Sequence, residues 1–344
     1  MMRAYLLIVL IFMPFSLFAN SKVVNVYNWS AYIPHKVLRM FEKKTGITVN
    51  YTTYQSNEAL YAKLEADPDA GYDVVFPSTY YVQRMAKDGL LHKLDLKKIP
   101  NIKYDNHKLL NLSYDPGNHY TVPYLWGTTG IVVNTQYYSQ SSINQWQDFW
   151  KPKFKNQLLL LNDVRDVFSM SLRSLGYSIN TKNPKQIKQA YEHLKALLPN
   201  IKLFNNGAVR PVYIDEDATV GMVLSGDADA IVKTNPKLHF IFPKNQVIIS
   251  MDCASIVKSA PHLENAYKFI NFINEPKIAK MISLKEGYSS PSLAAIKLMS
   301  KKQRENKIIN PPQRLLENAE VENDVGPKAT ALYMHYWELL KLEA

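Results

Sequence analysis

Hydrophobic and polar positions alternate along this chain between two periods, one suited to strands and one to helices. Val23–Trp29 is a short run of β-branched and aromatic residues that predicts a strand, and Ile47–Tyr54 predicts a second. Between them, Val37, Leu38 and Phe41 form a helical stripe within Pro34–Lys44, which Gly46 should end. A helix is expected over Asn57–Ala66. A buried strand over Tyr72–Phe76 follows and runs into Pro77-Ser78-Thr79, with a helix from Tyr80. Tyr120–Asn134 reads as a long extended stretch leading to Trp146–Trp150. The pattern then restarts: strand Gln157–Leu161, a helix from Asp163, a helix over Pro184–Leu198, and strands near Val220–Leu224 and His239–Phe242. Strand Val247–Val257, helices over 262–274 and 276–286 and a helical tail Lys328–Leu342 complete the chain. Strand–helix–strand order argues for α/β architecture with a parallel or mixed sheet. Two such units joined by extended crossings predict two lobes with a cleft between them, where the loops after strands should carry function.

The first residues break the pattern. Met1-Met2-Arg3 gives a short positive start, Ala4–Phe18 is apolar apart from Pro14 and Ser16, and Ala19 precedes the polar Asn20-Ser21-Lys22. This predicts a secretory signal peptide over residues 1–19, with export to the periplasm. No other stretch approaches the ~20 apolar residues that a membrane-spanning helix needs.

Composition narrows the function classes. With 344 residues, 47% of them hydrophobic, the chain can form about two domains. The single cysteine, Cys253, excludes an internal disulfide framework and multi-cysteine metal centres. The formal net charge is +11, but the lysines are scattered and no nucleic-acid motif is present, so no nucleic-acid partner is expected. Dinucleotide, P-loop, zinc-protease and nucleophile-elbow motifs are all missing, and the eight histidines have no ligand spacing, so no cofactor or metal is expected.

What remains is a set of aromatic and acidic residues at strand exits. Trp29 and Tyr32 follow the first strand, Ser78 and Tyr80 the third, Asp163 and Asp166 the strand Gln157–Leu161, and Asp227 the strand ending at Leu224. Asp252 lies within an otherwise apolar strand, and Tyr288 follows Gly287. Together they can line a pocket for an elongated organic cation, with carboxylates pairing ammonium groups and ring faces covering methylenes. Structural roles compete with this reading. Asp163 and Ser78 can cap helices, Asp166 can match a helix dipole, and Asp227 can serve a turn. Asp252 requires a partner in either case.

Tyr27–Pro34, Tyr72–Val82, Val122–Gly127, Asp163–Phe168, Glu286–Tyr288 and Glu322–Gly326 resemble, in order, the bacterial spermidine/putrescine-binding periplasmic proteins. The resemblance spans about residues 22–340. It implies a two-lobed periplasmic-binding-protein fold of the type II kind, with discontinuous lobes, a hinge and a central cleft. The lobes would be residues 21–127 with 252–297, and 128–251 with 298–344. It implies a monomeric, non-enzymatic receptor that captures a polyamine and hands it to the membrane permease and ATPase of an ABC importer. The ligand-binding residues carried over are Trp29, Tyr32, Ser78, Tyr80, Asp163, Asp166, Asp252 and Tyr288. Glu322 stands where glutamine is usual, and Asp227 matches an acid of putrescine-type members. Leu224 and Ser250 stand where spermidine-type members place tryptophans. Those two departures leave open a receptor tuned to another small cation. A signalling receptor of the same fold, or an exported enzyme using two of the acids as acid and base, would also fit these residues.

Overall fold

A computed structural model describes residues 22–30 and 32–344. The expected signal segment, its junction and the first residue of the expected first lobe lie outside the described residues. Ten strands form one mixed sheet: β1 Val23–Trp29, β2 Thr48–Tyr54, β3 Val74–Val75, β4 Thr121–Asn134, β5 Leu158–Leu160, β6 Ile201–Phe204, β7 Val220–Leu224, β8 Leu238–Ile241, β9 Ile248–Ile256 and β10 Glu320–Val321. Their order is β2-β1-β3-β9-β4-β7-β5-β6, with β8 beside β4 and β10 beside β9. The helices that shape the molecule are α1 His35–Thr45, α2 Asn57–Ala66, α3 Thr79–Lys87, α4 Val164–Ser174, α5 Pro184–Leu197, α6 Val209–Ile214, α7 Ser225–Thr234, α8 Leu263–Ile273 and α9 Pro276–Glu286, with Gly326–Glu343 at the C-terminus.

Local chemistry accounts for these elements. Val37, Leu38 and Phe41 bury one face of α1, and Gly46, at φ 69°, ends it by donating its N–H to the Glu42 carbonyl at 2.8 Å. Ser56 caps α2 from Ala59 N–H, and Asp163 caps α4 from Arg165 N–H and Asp166 N–H. Every residue of β4 is buried, polar ones such as Thr121, Thr128, Thr129 and Asn134 included, so the strand is covered on both faces.

Three apolar cores divide the molecule into two lobes. One gathers Trp146, Phe149, Phe168, Tyr213 and Tyr333 around β5 and β7. The other two lie in the opposite lobe. Phe41, Phe269 and Ile282 bring α1, α8 and α9 into one, while Leu60, Val82 and Met85 bring α2 and α3 into the other. β4 and β9 pass between the lobes as an antiparallel pair, with Gly127 opposite Ser250 and Trp126 opposite Met251. β1–β3 and β5–β7 are parallel within their own lobes. Among the described residues, no helix is long and apolar enough to cross a membrane, and no His, Cys, Asp or Glu cluster could hold a metal ion.

Candidate functional site between the lobes

Asp252 projects from β9 where that strand crosses between lobes, and two hydroxyls answer its charge. Tyr32 Oη donates to Oδ2 at 2.7 Å and Ser78 Oγ donates to Oδ1 at 2.6 Å. Ser78 stands at the N-cap position of α3, but its hydroxyl makes no cap and serves the carboxylate instead. Removal from water pushes Asp252 up to about 6 against the pull of both hydroxyls. Asn57 organises this corner: its amide donates to Ser78 Oγ and Tyr80 Oη, both at 3.0 Å, and its carbonyl accepts Ser78 N–H at 3.0 Å.

The facing wall comes from the start of α4 and the stretch after β10. Asp163 caps α4, and burial raises its carboxyl despite N–H bonds from Asp166 and Arg165. Asp166 accepts from Thr129 Oγ1 at 3.1 Å and is raised well above the carboxylate range, first by burial and then by the charges of Asp163 and Glu322. Glu322 is buried and accepts from Ser169 Oγ at 3.1 Å, and burial lifts it to about 7 while Arg165 pulls it down. The Glu322 carbonyl also accepts from Thr79 Oγ1 at 2.6 Å, which ties this wall to the start of α3.

Arg165 supplies the balancing charge. Its buried guanidinium donates to the Asn323 and Ile179 carbonyls and to Asn180 Oδ1, and lies 5.4 Å from the Tyr80 ring and 5.7 Å from that of Tyr333. Three carboxylates thus face one internal cation. Such a wall attracts further positive charge.

Aromatic rings separate the acids. Trp29 Nε1 donates to the Phe76 carbonyl at 2.9 Å and its ring tilts against Tyr54 at 4.7 Å. Tyr288 meets Tyr32 edge-on at 5.7 Å and lies against Gly127 and Gly226. Leu224 and Ser250 are half-buried beside this group. Asp227 is differently placed from the other acids: it lies in the first turn of α7 and accepts from Arg210 Nε at 2.6 Å. The structure brings Trp29, Tyr32, Ser78, Tyr80, Asp163, Asp166, Asp252, Tyr288 and Glu322 into one neighbourhood around the crossing of β9, whereas Asp227 is already ion-paired.

Asn57, Arg165, Thr129 and Ser169 are the supporting residues that the strand-exit pattern did not single out. Arg165 carried one signal, a lone cation between two acids on a helix whose other early residues are apolar. Asn57 carried none.

Residues 36–310 match the family of bacterial extracellular solute-binding proteins. The chain belongs to that family. It is 43% identical over 323 residues to the spermidine/putrescine-binding periplasmic protein of Salmonella typhimurium, covering 94% of this chain and 92% of the relative. It is 42% identical over 322 residues to the protein of the same name from Escherichia coli, with 94% and 92% covered. Among solved structures, the spermidine/putrescine ABC transporter substrate-binding protein of Streptococcus pneumoniae superposes with a TM-score of 0.83 at 34% identity, covering 93% of this chain and 99% of that one. Membership in a family of solute-binding proteins sets aside the reading of an exported acid–base enzyme.

Proposed function

We propose that this protein captures a polyamine, putrescine or spermidine, in the interlobe cleft and delivers it to the permease and ATPase of an ABC importer. The carrying observation is the disposition of acids: Asp163, Asp166 and Glu322 on one wall and Asp252 on the other, with Trp29, Tyr32, Tyr80 and Tyr288 between. Ammonium groups spaced by methylenes complement this alternation of carboxylate and ring. The hydroxyls on Asp252 and Asp166 leave carboxylate lone pairs available for a charged donor. In this reading the lobes, residues 21–127 with 252–297 and 128–251 with 298–344, close about β4 and β9 once the amine is seated. The mature protein is a periplasmic monomer that has lost residues 1–19 and binds no nucleic acid.

Leu224 and Ser250 offer no ring where two walls of the cleft are formed, which favours, as a second reading, a receptor for another small organic cation. Calorimetric titration with putrescine, spermidine, spermine and cadaverine separates the two. Saturable binding of one amine, weakened about tenfold to a hundredfold in Asp252→Asn, is the expected result, since a hydrogen bond to a charged group contributes about 1.5–3 kcal/mol. No heat with any of the four would remove the polyamine assignment.

A further inference from the structure

Residues 319–325, which include β10, form a strap between the lobes and are fastened to both. Ala319 and Val321 pack against the core around α2 and α3, whereas Val325 belongs to the core around β5 and β7. Past the two residues that pair with β9, side chains from both lobes meet the strap's backbone in place of a ladder. On the side of α4 and α5, Asn180 Nδ2 donates to the Val321 carbonyl at 2.9 Å, and Asn180 Oδ1 accepts Asn323 N–H at 2.8 Å. Arg165 Nη1 donates to the Asn323 carbonyl at 3.1 Å. On the side of α3, Thr79 Oγ1 donates to the Glu322 carbonyl at 2.6 Å, and Gln83 Oε1 accepts Asp324 N–H at 3.2 Å. Ser113 Oγ donates to Asn323 Oδ1 at 3.0 Å. The Glu322 carboxylate meanwhile stays with α4 through Ser169. Thr79 is buried, and it sits between Ser78, which holds Asp252, and Tyr80.

The two sets of bonds differ in strength. On the side of α4 and α5 a buried guanidinium and a buried carboxylate take part, and such charge-assisted bonds keep the strap with that lobe. On the side of α3 the three contacts are neutral, and water can replace each of them when the lobes part. We infer that Thr79 and Gln83 are positioning residues for closure: they engage the strap as the lobes come together and latch the loaded form without touching the amine. The inference rests on the polyamine reading. With the lobes closed, loss of the Thr79 hydroxyl leaves the Glu322 carbonyl buried and without that donor. With the lobes open, the carbonyl faces water and the same loss costs nothing.

The test is calorimetry with putrescine and spermidine on the wild type, Thr79→Val, Thr79→Ser and Gln83→Leu, with melting curves of each protein free and amine-loaded. Thr79→Val nearly keeps the shape of the side chain and removes its donor. It is expected to weaken amine binding about tenfold, the effect of leaving one buried acceptor unmet. Thr79→Ser should restore wild-type affinity, and Gln83→Leu should weaken binding about threefold to tenfold. Free Thr79→Val should melt where the free wild type does, while its amine-induced rise in melting temperature shrinks. Equal affinities in the wild type, Thr79→Val and Gln83→Leu overturn the inference. So does earlier melting of free Thr79→Val at unchanged affinity, because the contact would then hold in the open form and serve only the fold. Should Thr79→Val fail to fold, Gln83→Leu decides by the same comparison. If the wild type binds neither amine, the polyamine reading falls and this inference falls with it; wild-type binding with unchanged variants removes this inference alone.

Discussion

Asp252 and Glu322 are acids held in surroundings that favour their protonated forms, at about 6 and about 7. An acid whose folded pKa lies above its unfolded value costs stability as pH climbs from the unfolded value to the folded one. For Glu322 that window runs from 4.5 to about 7, so the ligand-free protein should lose stability across it. An arriving ammonium favours the ionised carboxylate, so amine affinity should rise with pH through the same upper range. Near neutral pH, binding should release up to about one proton. Titrations in buffers of different ionisation enthalpy measure this directly: the apparent binding enthalpy should vary with the buffer, and less so in Glu322→Gln. Identical enthalpies in all buffers would mean that Glu322 is already ionised in the free cleft.

At the scale of elements, the start of α7 and the end of α9 bring the two lobes into close contact. The Tyr288 ring covers Gly226, and any β-carbon at that position would overlap it. Gly226→Ala should therefore hold the lobes apart and weaken amine binding at least about tenfold, since overpacking costs about 1–3 kcal/mol where atoms are forced together. Small-angle scattering should then show less contraction on adding amine than in the wild type. Contraction and affinity equal to wild type would mean that Tyr288 moves aside without cost.

These elements were unequally legible in the sequence. α1 announced itself through an apolar stripe and a glycine stop, and β5 through a run of leucines. α7 was hidden because Ser225-Gly226-Asp227 reads as a turn and its buried face is made of small residues around Ile231. β6 is only partly buried, and the two-residue β10 exists through its pairing with Ile248 and Ile249 of β9, a contact between segments far apart in the chain. The cleft acids were visible because Asp252 is anomalous in its strand and Asp163 and Asp166 follow another strand. The roles of Asn57, Arg165 and Arg210 depend on partners from distant segments, which no local pattern encodes.

For the whole molecule, the decisive feature is that one hydrogen-bonded sheet runs through both lobes by way of β4 and β9. Lobes joined in this manner should unfold together. Scanning calorimetry is expected to record one transition, and amine at about a hundred times its dissociation constant should raise stability by about 2.7 kcal/mol. Two resolved transitions would show that the lobes melt independently. The net charge of +11 does not conflict with capture of a cation, because the recessed acids set the local potential and exposed charges are screened within about 8–10 Å.

Cys253 lies one residue beyond Asp252 on the opposite face of β9, fully buried, with its thiol donating to Tyr114 Oη at 3.4 Å. Burial raises its pKa, which suppresses the reactive thiolate. Since it is the only cysteine of the chain, a maleimide dye directed to an introduced surface cysteine will find a single reactive partner. Two such positions, one on each lobe, turn the protein into an optical ruler for its own closure, with no native thiol to remove first.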